Sequence, residues 1–235
     1  MEPIMKIAAK HKLYVIEDVA QAIGADYTFS DGRKQKAGTI GTIGCTSFFP
    51  SKNLGCMGDG GALFTNDDTL AKKIRMIANH GQSVQYVHDE IGVNSRLDSI
   101  QAAILRVKLK HLDSYAAARQ KAAAYYDKAF NGNSKITTPE RSKNSTHVFH
   151  QYTLVLNGVN RDELRQYLAE KEIPAMIYYP IPLHMQKAYK DERYKEGQFP
   201  VTEKLCANVL SLPMHTELDE EQLEYITRAV LEFCK

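Results

Sequence analysis

Three short stretches concentrate the residues able to do chemistry. The first is Glu17-Asp18-Val19-Ala20-Gln21, two acids and an amide directly after the apolar run Leu13-Tyr14-Val15-Ile16. The second, Ser47-Phe48-Phe49-Pro50-Ser51-Lys52-Asn53, leads into Gly55 and Gly58-Asp59-Gly60-Gly61. The third is Gly92-Val93-Asn94-Ser95-Arg96. Each lies just beyond a predicted buried strand, and in open α/β sheets ligand sites gather outside the carboxyl ends of strands. An acid at a buried strand end needs a cation or hydrogen-bond donors, or it takes up a proton. Asp18 is therefore a candidate partner for a bound cationic group, although a helix cap or a structural salt bridge is the commoner use of such an acid. A lysine in a Gly- and Pro-rich turn can attack a carbonyl once burial and cationic neighbours keep its amine partly neutral. An isolated lysine of this kind is ordinarily a solvated surface residue. The glycines would let backbone N–H groups approach an anion. They fit no phosphate-loop pattern, because no Gly-Lys-Ser/Thr follows at the required spacing.

The elements that must position these residues follow from hydrophobic patterning. Glu2 to His11 reads as a short helix opening with Pro3. Leu13 to Ile16 is apolar without alternation, which predicts a strand buried on both faces. Thr28 to Lys36, with Asp31-Gly32 at its centre, predicts a turn joining two extended pieces. Thr42 to Phe49 and Ala62 to Thr65 predict strands, and Asn66 or Asp67 caps a helix that His80-Gly81 stops near Asn79. A polar loop runs to Asn94, and a long helical pattern extends from near Leu97 to about Phe130.

The Asn/Ser/Lys/Pro-rich segment from Gly132 to Asn144 predicts a domain boundary, dividing the chain into residues 1–131 and 132–235. The second part alternates a strand (Val148 to Leu156), a helix (Arg161 to Glu172) and a strand (Ile173 to Tyr179). Helices near Val201 to Val209 and Asp219 to Cys234 follow, predicting a small α+β or α/β domain closed by a terminal helix.

Composition narrows the function classes. In 235 residues, 43% are hydrophobic and 25% charged, the profile of an ordinary soluble globular chain. Thirty Lys and Arg against 28 Asp and Glu give a net charge of +2, no electrostatic reason to expect nucleic acid or an anionic membrane. No apolar run approaches the roughly 20 residues of a membrane helix, and the N-terminal residues lack the order of a secretory signal. Cys45, Cys56, Cys206 and Cys234 form no CxxC pair and no zinc-ligand spacing, so no metal is expected; they read as reduced thiols of a cytoplasmic protein.

Taken together, Val15-Ile16-Glu17-Asp18-Val19-Ala20-Gln21-Ala22, Ser47 through Gly61, Gly92 through Asp98 and Tyr179-Pro180-Ile181-Pro182-Leu183-His184 resemble the DegT/StrS family of pyridoxal-phosphate (PLP) nucleotide-sugar aminotransferases. The resemblance covers nearly the whole chain. It implies an α/β, aspartate-aminotransferase-type PLP-dependent fold, with a partial large domain (1–131, including the long connecting helix) and a small C-terminal α+β domain (132–235).

The resemblance also implies roles. Lys52 would bond covalently to pyridoxal 5'-phosphate and later shuttle the proton. Asp18 would pair with the protonated pyridine nitrogen, keeping the ring an electron sink. Gln21 would sit near the phenolic oxygen and Ser47 would hydrogen-bond the cofactor phosphate. Asn94 is similar to the residue that reaches into a partner subunit's site, which implies a homodimer with shared active sites. Arg96, Tyr178, Tyr179 and His184 would contact substrate. With Lys52 present, the implied reaction moves an amino group from glutamate to a keto group, at C3 by local similarity, of a nucleotide-linked sugar for cell-surface polysaccharide or lipopolysaccharide. Tyr178-Tyr179 stands where some uronate-specific members carry His-Tyr. A tyrosine lacks the charge a histidine can offer, so a neutral 6-deoxy sugar is at least as plausible as a sugar acid.

Family members extend well upstream of the segment matched by Glu2-Pro3-Ile4-Met5, so the chain reads as N-terminally truncated relative to them. The upstream part would carry a phosphate-holding turn and the aromatic ring that stacks on PLP. The alternative expectation is a non-catalytic fragment, folded or assembling with another chain. Among the remaining residues, His147 and His150 are expected on opposite faces of a strand. His80 is expected as a helix cap, and Tyr125, Tyr126, Phe48 and Phe49 as packing residues.

Overall fold

Pro3, whose missing N–H falls where a helix has no partner for it, starts α1 (Glu2–His11), and Lys12 ends it in the left-handed region at φ 55°. The structure, a computed structural model, describes residues 1–235. The chain forms two compact units. One comprises residues 1–117 and 141–150, the other 118–140 and 151–235.

In the first unit, β1 (Ile16–Asp18) is followed by an antiparallel hairpin of β2 (Asp26–Thr28) and β3 (Lys34–Lys36), turning at Asp31-Gly32. β4 (Ile43–Ser47) then pairs in parallel with β1, and β5 (Gly61–Phe64) pairs antiparallel with β4, in the order β1-β4-β5. The predicted strand at Leu13–Ile16, buried on both faces, is thus displaced. Pairing starts at Ile16, and Tyr14 and Ile16 are 84% and 68% exposed. The physical reason is that only one face of this three-stranded sheet is covered: Glu17 on that face is buried, while Ile16 points to the more open face and Tyr14 precedes the strand.

The helix after β5, α2 (Asp68–Ala78), is capped by Asp67, whose carboxylate accepts the Thr69 and Leu70 N–H groups. The segment to Asn94, expected to be a loop, contains the small hairpin β6 (Gln82–Val84) and β7 (Val87–His88). The long helical pattern forms as α3 (Ser99–Lys108), a tighter turn at Leu109–His111 and α4 (Leu112–Phe130). Phe48, Leu54, Cys56, Leu105 and Leu112 make the apolar core of this unit, with Ile23 and Ala62 against it. Phe49, expected to pack, is half exposed.

The second unit holds an antiparallel sheet in the order β10-β9-β8, from β8 (Ile136–Thr137), β9 (Tyr152–Leu156) and, after two helices, β10 (Val209–Leu212). Those helices are α5 (Arg161–Glu170) and α6 (Pro200–Asn208), and α7 (Glu220–Phe233) closes the chain with a capping box from Asp219 and Gln222. Leu154, Leu156, Leu164, Leu168, Leu210 and Val230 are fully buried between sheet and helices. Tyr126 packs as expected, and its hydroxyl donates to the Pro213 carbonyl at 2.9 Å; burial pushes its pKa strongly up.

Two expectations for this region change. No strand forms over Ile173–Tyr179: Pro174 brings no N–H, and pairing is confined to Met176, which bridges Ser211. His147 and His150 lie outside β9. Their segment belongs with the first unit, where Thr28 N–H bonds Asn144 O at 2.7 Å and Thr146 N–H bonds Asp26 O at 2.9 Å. The β9 ladder therefore starts at Tyr152.

Candidate active site

The parallel register of β1 and β4 sets Asp18 beside Cys45. Side chains alternate across a strand, so Asp18 shares a face with Cys45 and Ser47, while Glu17 shares the other with Gly44 and Thr46. The two adjacent acids therefore have opposite fates. Glu17 is 8% exposed, and its carboxylate accepts the backbone N–H groups of Gly38, Ile40 and Gly41. That answers the requirement for donors around a buried acid, and it makes Glu17 the structural member of the pair. Asp18 is exposed, contrary to the buried position expected for it, because it points to the more open face of the sheet, opposite the face that buries Glu17. One of its oxygens accepts the Ala20 N–H at 3.0 Å, and the other has no partner. Burial, and after it the Asp18 charge, push the Cys45 thiol up. The same field favours a cation or a retained proton on this face.

Beyond β4 the chain makes a tight turn. Ser47 Oγ accepts the Phe49 N–H at 3.2 Å, leaving its own proton free to donate outward. Lys52 N–H closes the turn on Phe49 O at 2.9 Å, and the Lys52 amine, half-buried, makes no hydrogen bond or ion pair. Gly55 crosses so close to the first limb of the turn that a Cβ there would lie 2.3 Å from Pro50 O. Only glycine permits that approach. From α3, Lys108 Nζ donates to Gly55 O and Gln101 Oε1 accepts the Met57 N–H at 2.8 Å.

Asn53 is the residue that sequence reasoning missed in this turn. It is 6% exposed, its amide donates to Val148 O at 2.9 Å, and its carbonyl oxygen faces His150 Nδ1 at 3.2 Å. Its place beside Lys52 was legible in the sequence, but its partners lie 95 and 97 residues away, where no local pattern points.

Gln21 lies in the turn after β1 and is exposed, with no partner. Asp18, Gln21, Ser47 and Lys52 thus all sit at or just beyond the carboxyl ends of β1 and β4. Asn94 and Arg96 belong to another part of this unit. Asn94 bridges Asn79 at the end of α2, and Arg96 donates to the Asn79 side chain at 3.2 Å. Gly92 makes that docking possible: a Cβ there would lie 2.1 Å from Gly81 N. His80 leads out of α2 at φ 60°, and its carbonyl is engaged by His88. Tyr178, Tyr179 and His184 lie in the second unit. The two tyrosine rings meet edge-on at 5.7 Å, and His184 Nε2 lies 3.1 Å from Glu203 Oε1, a partner with no signal in the sequence.

No cluster of three or more metal-ligating side chains occurs. At the β1 and β4 ends the donor set is instead an anion (Asp18), an uncommitted amine (Lys52) and a hydroxyl with a free proton (Ser47). These groups fit a ligand with a basic ring nitrogen, a carbonyl and a phosphate.

The DegT/DnrJ/EryC1/StrS aminotransferase family profile matches residues 1–231. A pleiotropic regulatory protein from Geobacillus stearothermophilus is 48% identical over 100% of this chain and 62% of its own length. The UDP-2-acetamido-2-deoxy-3-oxo-D-glucuronate aminotransferase of Pseudomonas aeruginosa is 45% identical over 97% of this chain and 61% of its own length. Among solved structures, DesV from S. venezuelae superposes with a TM-score of 0.92 at 39% identity, covering 100% of this chain and 62% of its own. The chain therefore spans 61–62% of the length of these relatives and shares their mixed α/β fold over that span. By profile, sequence and fold together, the chain belongs to the DegT/DnrJ/EryC1/StrS aminotransferase family.

Proposed function

We propose that this protein is a pyridoxal-phosphate-dependent aminotransferase that moves an amino group from glutamate to the 3-keto group of a nucleotide-linked sugar. The observation that carries the reading is the register of Asp18 beside Cys45, with Ser47 ending the Cys45 strand and Lys52 in the turn beyond it. The 3-oxo sugar in the name of the Pseudomonas aeruginosa relative supports the position of the keto group.

When bound, pyridoxal phosphate supplies an aldehyde that takes the amino group and a ring that spreads the electron pair left by C–H removal. The residues of this chain do the rest. Asp18 would pair with the ring nitrogen and keep it protonated, its charge being one of the two causes that push the neighbouring Cys45 thiol up. Ser47 donates its hydroxyl proton to the phosphate, and Gln21 stands by the phenolic oxygen. Lys52 Nζ, free of any competing acid, would hold the cofactor through its aldehyde group, with loss of water, and when displaced by the substrate amine would serve as the base that carries the proton from the substrate carbon and returns it. Asn94 of a second copy binds the phosphate, which makes the working form a homodimer. Arg96, Tyr178, Tyr179 and His184 contact the nucleotide sugar. The setting is cytoplasmic, in the assembly of cell-surface polysaccharide such as lipopolysaccharide.

The test is capture of the cofactor. Wild-type chain and Lys52→Ala are incubated with pyridoxal phosphate, dialysed, reduced with borohydride and mapped by mass spectrometry. A visible absorption band that glutamate bleaches, together with an adduct on Lys52 that Lys52→Ala lacks, is the expected result. Folded protein with no band and no adduct overturns the reading for these 235 residues and leaves the second one, a fragment of such an enzyme without turnover of its own.

A further inference from the structure

The loop between β4 and β5 closes on itself beneath Lys52. The Phe48 N–H donates to Gly60 O at 2.7 Å and the Cys56 N–H donates to Phe48 O at 2.8 Å, so the outgoing and returning limbs share one base. The Lys52 amine makes no bond of its own, and the place where it stands is therefore set by the backbone under it. Asn53 ties down the limb that carries Lys52. The returning limb is tied down from α3.

Gln101, Leu105 and Lys108 follow one another at four and three residues along α3, which puts them on one stripe of the helix. Leu105 is 7% exposed and packs in the core with Leu54 and Cys56 of the returning limb. The two polar residues flank it. Gln101 Oε1 accepts the Met57 N–H at 2.8 Å, and Lys108 Nζ donates to Gly55 O. Gly55 is buried and its carbonyl receives no main-chain N–H, so the Lys108 ammonium supplies the donor that a buried carbonyl requires. A bond from a cation is the stronger kind.

We infer that Gln101 and Lys108 are positioning residues for Lys52: their two bonds hold the returning limb against α3 and, through the shared base of the loop, keep the Lys52 amine in one place. The inference rests on the aminotransferase reading for the use of that amine, and on the geometry alone for its being held. The partners lie 44 and 53 residues upstream of the two side chains, so neither residue is distinguished in the sequence from other polar residues of a helix.

Amide hydrogen exchange on the full chain, read by mass spectrometry, follows the loop without any cofactor. Lys108→Met and Gln101→Leu remove the two bonds, whereas Lys108→Arg keeps a cationic donor and Gln101→Glu keeps an acceptor oxygen. Leu164→Ala, in the core of the second unit, is the control for lost stability alone. Exchange over residues 48–58 should rise about tenfold to a hundredfold in Lys108→Met, the loss of one charge-assisted bond, and a few-fold to about tenfold in Gln101→Leu, the loss of a neutral one, with β9 unmoved. In these two variants the Lys52 amine should react faster with acetic anhydride yet capture pyridoxal phosphate more slowly under borohydride, and Lys108→Arg and Gln101→Glu should restore both rates. Unchanged loop exchange in both Lys108→Met and Gln101→Leu, an equal rise in β9, acetylation and capture that change in the same direction, or the same pattern in Leu164→Ala overturns the proposal. A wild-type chain that captures no pyridoxal phosphate sinks the transamination reading separately, and loop exchange with acetylation then decides whether Lys52 is held.

Discussion

Asn53, the residue after Lys52, donates its side-chain amide to the main-chain carbonyl of Val148 at 2.9 Å. This single bond ties the turn that carries the candidate nucleophile to a segment 95 residues further along the chain. Together with the main-chain bonds of Thr28 to Asn144 and of Thr146 to Asp26, it docks residues 141–150 in the first unit although the chain around them builds the second.

Replacing Asn53 by leucine keeps the volume and removes the donor. The buried Val148 carbonyl and His150 lose a partner, and an unsatisfied buried group costs about 1–3 kcal/mol. We expect a lowered urea midpoint by that amount and, in the borohydride experiment, less adduct on Lys52 at equal folded protein. An unchanged adduct yield would mean that the bond stabilises the fold without positioning the lysine.

Glu17 and Asp18 separate in the opposite sense from their adjacency. Glu17→Gln replaces one acceptor oxygen by an NH2 group pointing at the Gly38, Ile40 and Gly41 donors. We expect it to destabilise by about 1–3 kcal/mol, while Asp18→Asn, exposed and with one local bond, leaves the denaturation midpoint nearly unmoved and impairs cofactor retention. Equal destabilisation by both variants would contradict the alternation argued here.

His147 accepts the Phe149 N–H on Nδ1 at 2.9 Å, which requires that nitrogen to be unprotonated. Burial first and the Arg141 charge second depress its pKa below the ordinary 6.5. The folded state then binds this proton less readily than the unfolded state, so the contribution is complete above about 6.5 and is lost as pH falls towards the folded value. His147→Asn, whose carbonyl oxygen replaces the acceptor and does not titrate, should flatten the acid limb of stability relative to the wild type. Parallel limbs for the two proteins would refute the assignment.

Leu164 of α5 is 0% exposed in the core of the second unit. Leu164→Ala should cost about 2–5 kcal/mol by lost transfer and a residual cavity. Calorimetry that shows a cost below 1 kcal/mol would mean that the cavity collapses and that α5 is loosely held.

The sequence by itself determined the local features of this protein. Asp67 and Asp219 mark helix starts through bonds made within one turn, Pro3 marks one because its missing N–H falls where a helix has no partner for it, and Asp31-Gly32 marks a hairpin, because caps and turns are satisfied by their neighbours. The same is true of the spacing of Asp18, Gln21, Ser47 and Lys52, each placed at or just beyond a strand end, and of the family to which their combination points. What only the tertiary structure decided are the features that depend on distant partners. The run Leu13–Ile16 has the composition of a buried strand, yet its burial depends on what covers each face of the sheet, and only the face that Glu17 points to is covered. Ile173–Tyr179 has strand-like residues, yet Pro174 and a single bridge to Ser211 keep it irregular. Glu17, Asn53 and Glu203 look like ordinary polar residues until the fold brings donors and acceptors to them from 19 to 97 residues away. A buried polar group must find its partner wherever the chain returns, and the point of return is a property of the fold rather than of any local pattern.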